Sequence, residues 1–388
     1  MPDPRRPPIF PLTILTGFLG AGKTTLLNHL LRAPELSDSL VLINEFGEVG
    51  LDHLFVEKVD GNVVVMASGC LCCTIRGDLV STLEDLLRKR DNNRVVPFNR
   101  VIIETTGLAD PAPVLHTIMY HPYFMLRFRL DGVITLVDAL NGAATLDRHP
   151  EAVKQAAVAD RLVISKSDLL SEDDVGLAAL HSRLKALNPT AIQLDAARGE
   201  ATPAVLFHIG LYDPDKKTPD VRRWLNAEAL DDHAHAHHDD HDHHGHHDHS
   251  DHDHAHPHDV NRHDARIRAF ALRHPTPVPP AMVDMFLELL RSAHGAHLLR
   301  VKGIVALDDD PACPLVIHGV QHIFHPPVRL EAWPDDDHTT RIVFILYDME
   351  PSFIQGMWNA FVGVAADTPD AAALTQNPLR VSSGGLLA

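Results

Sequence analysis

Long apolar runs are missing from this chain, so it offers no candidate membrane span and a membrane partner is not expected. The opening stretch, Met1-Pro2-Asp3-Pro4-Arg5-Arg6-Pro7-Pro8, has two basic residues but no apolar centre of the kind a signal peptide needs. A cytoplasmic location is the expectation. Cysteine is scarce, at 4 in 388 residues, and three of those crowd together as Cys70, Cys72 and Cys73. That usage excludes a disulfide framework and leaves metal ligands or reactive thiols. Basic residues are also in deficit, with 34 Lys and Arg against 52 Asp and Glu, a formal charge of −18. Such a chain repels phosphate backbones, which argues against nucleic acid as a partner.

Two things are abundant. Hydrophobic residues make up 45% of a length sufficient for two domains with their own cores. Histidine occurs 29 times, 14 of them in a tract over residues 233–258 where it alternates with Asp, Ala and single Gly and Pro residues. No apolar group there can seed a core, so the tract reads as a disordered linker rich in imidazole. Many imidazoles on a flexible chain imply high metal capacity with modest affinity for each ion. A solvated linker without a metal role in the cell has the same composition.

The chemistry begins at Gly17-Phe18-Leu19-Gly20-Ala21-Gly22-Lys23-Thr24, a complete G-x-x-x-x-G-K-T. It follows the apolar run Pro11–Leu15 and precedes a helical pattern starting at Thr25, the strand–loop–helix setting that makes this pattern a phosphate site. Gly17, Gly20 and Gly22 allow backbone N–H groups to approach phosphates, with Ala21 and Thr25 completing the loop and first helical turn. Lys23 is the expected partner of the β- and γ-phosphates, and Thr24 of Mg²⁺. Alternating β-branched runs and helical patterns over residues 11–210 predict a doubly wound, mostly parallel sheet. Its strands are expected at Leu12–Thr16, Leu40–Asn44, Val63–Ala67, Arg100–Glu104, Gly132–Asp138 and Arg161–Ser165, with a last one near Thr190–Leu194. Ligands gather at the C-terminal ends of such strands.

Four further motifs follow strand ends. Glu104-Thr105-Thr106-Gly107 offers an acid to hold Mg²⁺ or orient water, and a glycine to meet the γ-phosphate. Ser165-Lys166-Ser167-Asp168 offers Asp168 to the guanine edge and the Lys166 stem to the ring face, although a helix cap has the same look. Asn44–Gly50 carries two carboxylates, among them Glu48, in a loop suited to ordering around phosphate and Mg²⁺. Cys70, Cys72 and Cys73 form an incomplete thiolate set for zinc, copper(I) or, with N/O ligands, cobalt, and Glu48 or a histidine is the natural fourth ligand. An open site of this kind suits delivery better than permanent structure. Cys313, beside prolines, reads as a lone packed thiol, and His318, His322 and His325 as packed histidines on strands.

Order resumes with an alternating strand at Arg266–Leu272, a helix over Pro280–Ser292, strands near His297–Leu307, Leu315–Val320, His322–His325 and Thr340–Tyr347, and a helix over Pro351–Phe361. The expected division is a P-loop domain over 1–215, a linker over 216–262, a smaller α+β domain over 263–365 and a tail over 366–388.

Taken together, Thr16–Thr25, Asn44–Gly50, Gly69–Thr74, Glu104–Pro111, Asp131–Asp138 and Ser165–Asp168 resemble the CobW family of P-loop GTPases. Leu298–Ile304 and Gly319-Val320-Gln321 look like that family's C-terminal domain, so the likeness spans about residues 10–362 apart from the histidine tract. The resemblance implies a GTP-hydrolysing metallochaperone using Mg²⁺, with zinc as cargo, cobalt as the alternative, and a metal-requiring client protein as partner. A homodimer is among the arrangements it leaves open. Glu104–Pro111 looks more like the zinc-related branch than the cobalamin one. One departure stands out: serine replaces the commoner asparagine or threonine before Lys166, which implies slightly weaker nucleotide binding with unchanged base choice.

Overall fold

The computed structural model describes residues 7–46, 63–68, 74–171, 174–207, 266–321, 323–325 and 327–366. Glu48, Cys70, Cys72, Cys73, His322 and the histidine tract lie outside them.

Strands β1 (Phe10–Gly17), β2 (Ser39–Phe46), β3 (Val63–Ser68), β4 (Arg100–Glu104), β5 (Phe128–Asp138), β6 (Arg161–Ser165) and β7 (Ile192–Asp195) form one sheet. Their order is β3-β2-β4-β1-β5-β6-β7, and every neighbouring pair is parallel. A parallel sheet hides both faces, which explains the unbroken buried runs Val41-Leu42-Ile43, Val101-Ile102-Ile103 and Leu162-Val163-Ile164. Helices α1 (Lys23–Leu31), α2 (Thr74–Asp91), α3 (Ala112–Tyr120), α4 (Pro122–Met125), α5 (Gly142–Arg148), α6 (Pro150–Ala157), α7 (Val175–Leu187) and α8 (Pro203–Leu206) accompany the strands. From β1 the chain runs outward to β2 and β3, returns to β4 beside β1, then crosses to β5 on β1's other flank. The strand order therefore reverses around β1, the crevice where open α/β sheets bind ligands.

Strands β1, β2, β3 and β5 come out one to four residues longer than the sequence suggests, β2 ending at Phe46 and β5 starting at Phe128, with a register shift between β1 and β5; β4 and β6 match, and β7 is shifted to Ile192–Asp195. Helices α3 and α7 were not foreseen. The second announces itself by Asp174, whose carboxylate accepts the Leu177 N–H at 3.0 Å as an N-cap.

The C-terminal unit comprises β8 (Ile267–His274), α9 (Pro280–His294), β9 (Leu298–Val305), β10 (Leu315–Val320), β11 (Ile323–Phe324), β12 (Val328–Arg329), β13 (Thr340–Tyr347) and α10 (Pro351–Ala366). The sheet is antiparallel, in the order β11-β10-β9-β13-β8 with β12 on β10. Helices α9 and α10 share an apolar core with the strands, Phe286 meeting Trp358 edge to face with centroids 5.0 Å apart. Ile267, Val320, Ile323 and Ile345 belong instead to the same buried cluster as Leu115, Ile118 and Val158 of the first unit. Strand β9 is consequently buried along its whole length, Arg300 and Lys302 included. Cys313 corrects the expectation of a packed thiol: it is half-buried in a turn, its Sγ 3.6 Å from the Glu331 carbonyl.

Candidate functional site

The glycine loop bridges β1 and α1. Gly22 has φ of 89°, a left-handed conformation that a β-carbon would strain, and it starts α1 without a side-chain cap. The amides of the first turn are thereby left to face the loop. Ala21 is buried, Thr25 is exposed at the mouth, and Lys23 folds back so that Nζ donates to the carbonyls of Gly17 at 2.9 Å and Phe18 at 3.3 Å. Phosphate oxygens are stronger acceptors for an ammonium than neutral carbonyls, so this lysine has partners it can exchange.

Strand β4 ends beside this loop. The Thr105 N–H donates to the Leu15 carbonyl at 2.9 Å and its hydroxyl to that of Thr16 at 2.8 Å, closing the two strand ends together. Glu104, almost fully buried, accepts the Thr24 hydroxyl at 3.2 Å. A hydroxyl and a carboxylate facing one another next to a phosphate cradle are the hard oxygen donors that Mg²⁺ takes, so these residues fit that ion. Gly107 comes so near the glycine loop that a β-carbon there would lie 2.6 Å from the Leu19 backbone nitrogen. Only glycine allows the β4 loop this approach.

Three successive residues of the β6 loop are tied to three different elements. Ser165 donates to the carbonyl of Ala21 in the glycine loop at 2.7 Å, the Lys166 ammonium pairs with Asp138 at the end of β5 at 2.6 Å, and the Ser167 hydroxyl donates to Asp195 at the end of β7 at 2.6 Å. Lys166 itself sits at φ of 61°. The outcome is that Asp168, next in line, is exposed in the middle of the short 3₁₀ turn Ser167–Leu169, which has no side-chain cap. Burial works to raise the Asp138 carboxyl, but Lys166, the Asn141 amide and the N–H groups of Leu140 and Asn141 outweigh it and hold the group below its ordinary range.

The structure thus brings Gly17, Gly20, Ala21, Gly22, Lys23, Thr24, Thr25, Glu104, Gly107, Lys166 and Asp168 to one edge of the sheet. Glu48, Cys70, Cys72 and Cys73 fall outside the described residues, and among those described no group of three or more His, Cys, Asp and Glu side chains could hold a metal. His318 and His325 do come together, rings stacked 4.7 Å apart, and burial beside Arg300 pushes His325 down to about 4 and His318 well below its usual range. Buried and close to the Arg300 and Lys302 cations, this pair is held neutral in the domain seam. Sequence reasoning overlooked Asp195 and Gln155; the first was signalled by its place at a strand end before a glycine turn, the second by nothing local.

A glycine cradle with an adjoining lysine and threonine, an acid on the neighbouring strand and a separate anchored Lys-Ser-Asp loop define a P-loop nucleotide-binding protein. The chain belongs to the CobW/HypB/UreG family, whose nucleotide-binding domain matches residues 11–195, and the cobalamin synthesis protein CobW C-terminal domain matches residues 267–362. Among its relatives, the zinc chaperone CobW of Pseudomonas aeruginosa is 32% identical over 377 residues, covering 89% of each chain. The zinc chaperone YjiA of Escherichia coli is 29% identical over 336 residues, 86% of this chain and 93% of that one. The crystal structure of the zinc-bound YjiA GTPase superposes with a TM-score of 0.61 at 25% identity, covering 92% of this chain and 99% of the other. No described helix is long and apolar enough to cross a membrane.

Proposed function

We propose that this chain is a GTP-hydrolysing metallochaperone that binds zinc through Cys70, Cys72 and Cys73, with Glu48 as the fourth ligand, and passes it to a metal-requiring client protein. The observation carrying this reading is a shared edge. Phe46 and Ser68, the last described residues before the stretches bearing Glu48 and Cys70, are partners in register on β2 and β3. They leave the same C-terminal edge that holds the glycine loop, at most three strand spacings or about 14 Å along the sheet. The segments proposed to carry the cargo ligands therefore begin at the edge that holds the glycine loop.

In this reading Asp168 accepts from the guanine edge while the Lys166 stem covers the ring. Lys23 exchanges its carbonyl partners for the β- and γ-phosphates, Gly107 lies within reach of the γ-phosphate, and Thr24 with Glu104 holds Mg²⁺, which supplies neutralisation of charge on the phosphates. Ser165, bonded to the glycine loop, performs the tying that the commoner asparagine or threonine would perform, so the substitution leaves base choice intact. Zinc release requires a second state with fewer or worse-placed ligands, and nucleotide can favour that state only by binding the two differently.

The names borne by its relatives support zinc, whereas the thiolates alone accept cobalt as well. Turnover of GTP measured with zinc, cobalt and nickel at buffered free concentrations separates them: zinc should change the rate most. A protein that binds zinc but turns over no GTP under any metal would be a buffer, with the glycine loop a remnant.

A further inference from the structure

Helix α6 touches the glycine loop, the Gly107 loop and the C-terminal domain. At its amino end His149 stacks on Phe18 of the glycine loop with ring centroids 4.4 Å apart. In its middle Gln155, 1% exposed, donates one amide to two carbonyls of the loop after β4, Gly107 at 3.3 Å and Ala109 at 2.9 Å. Lys154 lies 3.8 Å from Asp110 on that loop and 5.3 Å from the Tyr347 ring on β13. Just past its carboxyl end Val158 accepts from Arg300 of β9 at 2.6 Å, and Asp160 takes both Arg300 and, at 2.9 Å, Lys302. The carbonyls of Ala156, Ala157 and Ala159 are all held by Asn188 at 2.9–3.0 Å.

We propose that Gln155 is a positioning residue for GTP hydrolysis, holding the backbone from Gly107 to Ala109, and that the C-terminal domain, seated on Asp160, sets the turnover rate through α6. The inference rests on the GTPase reading above. In a trans peptide the N–H points opposite its carbonyl, so pinning the Gly107 and Ala109 oxygens aims the N–H groups of Leu108 and Asp110 away from the helix. Gly107 already touches Leu19, which leaves the loop little room to move toward the phosphates unless α6 yields. The helix spans only about 12 Å and is clamped at its carboxyl end, so it moves as one piece. Whatever the C-terminal domain does at Asp160 is thereby felt at Gly107, and a nucleotide that shifts Gly107 is felt at the domain seam by the same free energy.

The test is steady-state GTP hydrolysis and GDP binding by the full chain, comparing wild type with Gln155→Leu, Lys302→Met and the double variant. Gln155→Leu should lower kcat about fivefold or more while KM and GDP affinity stay within about twofold, since GDP lacks the phosphate that Gly107 meets. Lys302→Met should lower kcat as well, and the double variant should be no slower than the slower single one, the sign of a shared route. Should Lys302→Met not fold, Lys154→Ala replaces it, cutting the other contact of α6 with the C-terminal domain, at Tyr347, from a partly exposed site. Unchanged kcat in Gln155→Leu, parallel loss of GDP affinity, or multiplying single effects would each overturn the proposal. Absence of turnover in the wild type would instead remove the GTPase reading beneath it.

Discussion

Two sets of opposed charges, one at the nucleotide mouth and one at the domain seam, show how burial decides what a charge can be used for. At the mouth the Lys166 side chain is 35% exposed and pairs with Asp138, so water can replace either partner. At the seam Asp160, Arg300 and Lys302 are all but sealed from solvent, at 0%, 1% and 4%. Burial is the largest influence on Asp160 and opposes its charge, yet the two cations and the Val133 N–H keep its carboxyl far below the usual range, while burial pushes Lys302 down to about 8. The partly exposed Lys166 can trade its partner for a ligand. The buried trio cannot, and it is committed to joining two domains.

The sharpest way to break this contrast is to delete an acid from each set. Asp160→Ala leaves two cations buried without compensation and should cost about 3–5 kcal/mol of stability, read as a large fall in the midpoint of denaturant unfolding. Asp138→Asn should cost at most about 1 kcal/mol, because its amide oxygen still accepts from the Leu140 and Asn141 N–H groups and Lys166 can turn to water. Equal losses would mean that the seam is wetter than its burial indicates. Next in size is Lys23→Ala, whose GTP hydrolysis should fall by roughly 100-fold or more while its unfolding midpoint barely moves, since the carbonyls it releases face the ligand crevice.

Acid should separate the two regions too. The stacked histidines have folded-state values below the ordinary 6.5, near 4 for His325. The unfolded chain therefore binds protons that the folded seam refuses, and stability falls as pH drops from about 6.5 to about 4, by roughly 3 kcal/mol from His325 alone. Asp160 acts in a lower window: its contribution is complete above about 3.9 and is lost below that as the carboxyl is forced to protonate. His325→Phe should remove that residue's share of the first window and leave the second. At the mouth, Asp168→Ala should reduce the preference for GTP over ATP by about 1–3 kcal/mol in competition binding without altering the unfolding curve.

The sheet was legible because buried parallel strands write themselves as apolar runs and strand-end motifs follow them; β4, β6, β10 and β13 fall where the runs predicted. The glycine loop was legible for a related reason, since backbone approach to phosphate demands glycine at set spacings. Arg300 and Lys302 mislead instead. Their alternation with Leu299 and Val301 looks like a strand with one wet face, and only docking against Asp160, 140 residues away for Arg300, reverses it. Gln155 was invisible for the same reason: its partners, Gly107 and Ala109, are brought to it by the fold and not by the local sequence.

Zinc bound at Cys70, Cys72 and Cys73 and nucleotide bound at the glycine loop should report to each other. Zinc affinity titrated against a competing chelator, with GDP and then with a non-hydrolysable GTP analogue present, tests it directly. The expected result is a tightest site whose affinity differs at least about fivefold between the two nucleotides, with Cys72→Ser removing that site while leaving nucleotide binding in place. Identical zinc affinity in both nucleotide states would contradict the claim.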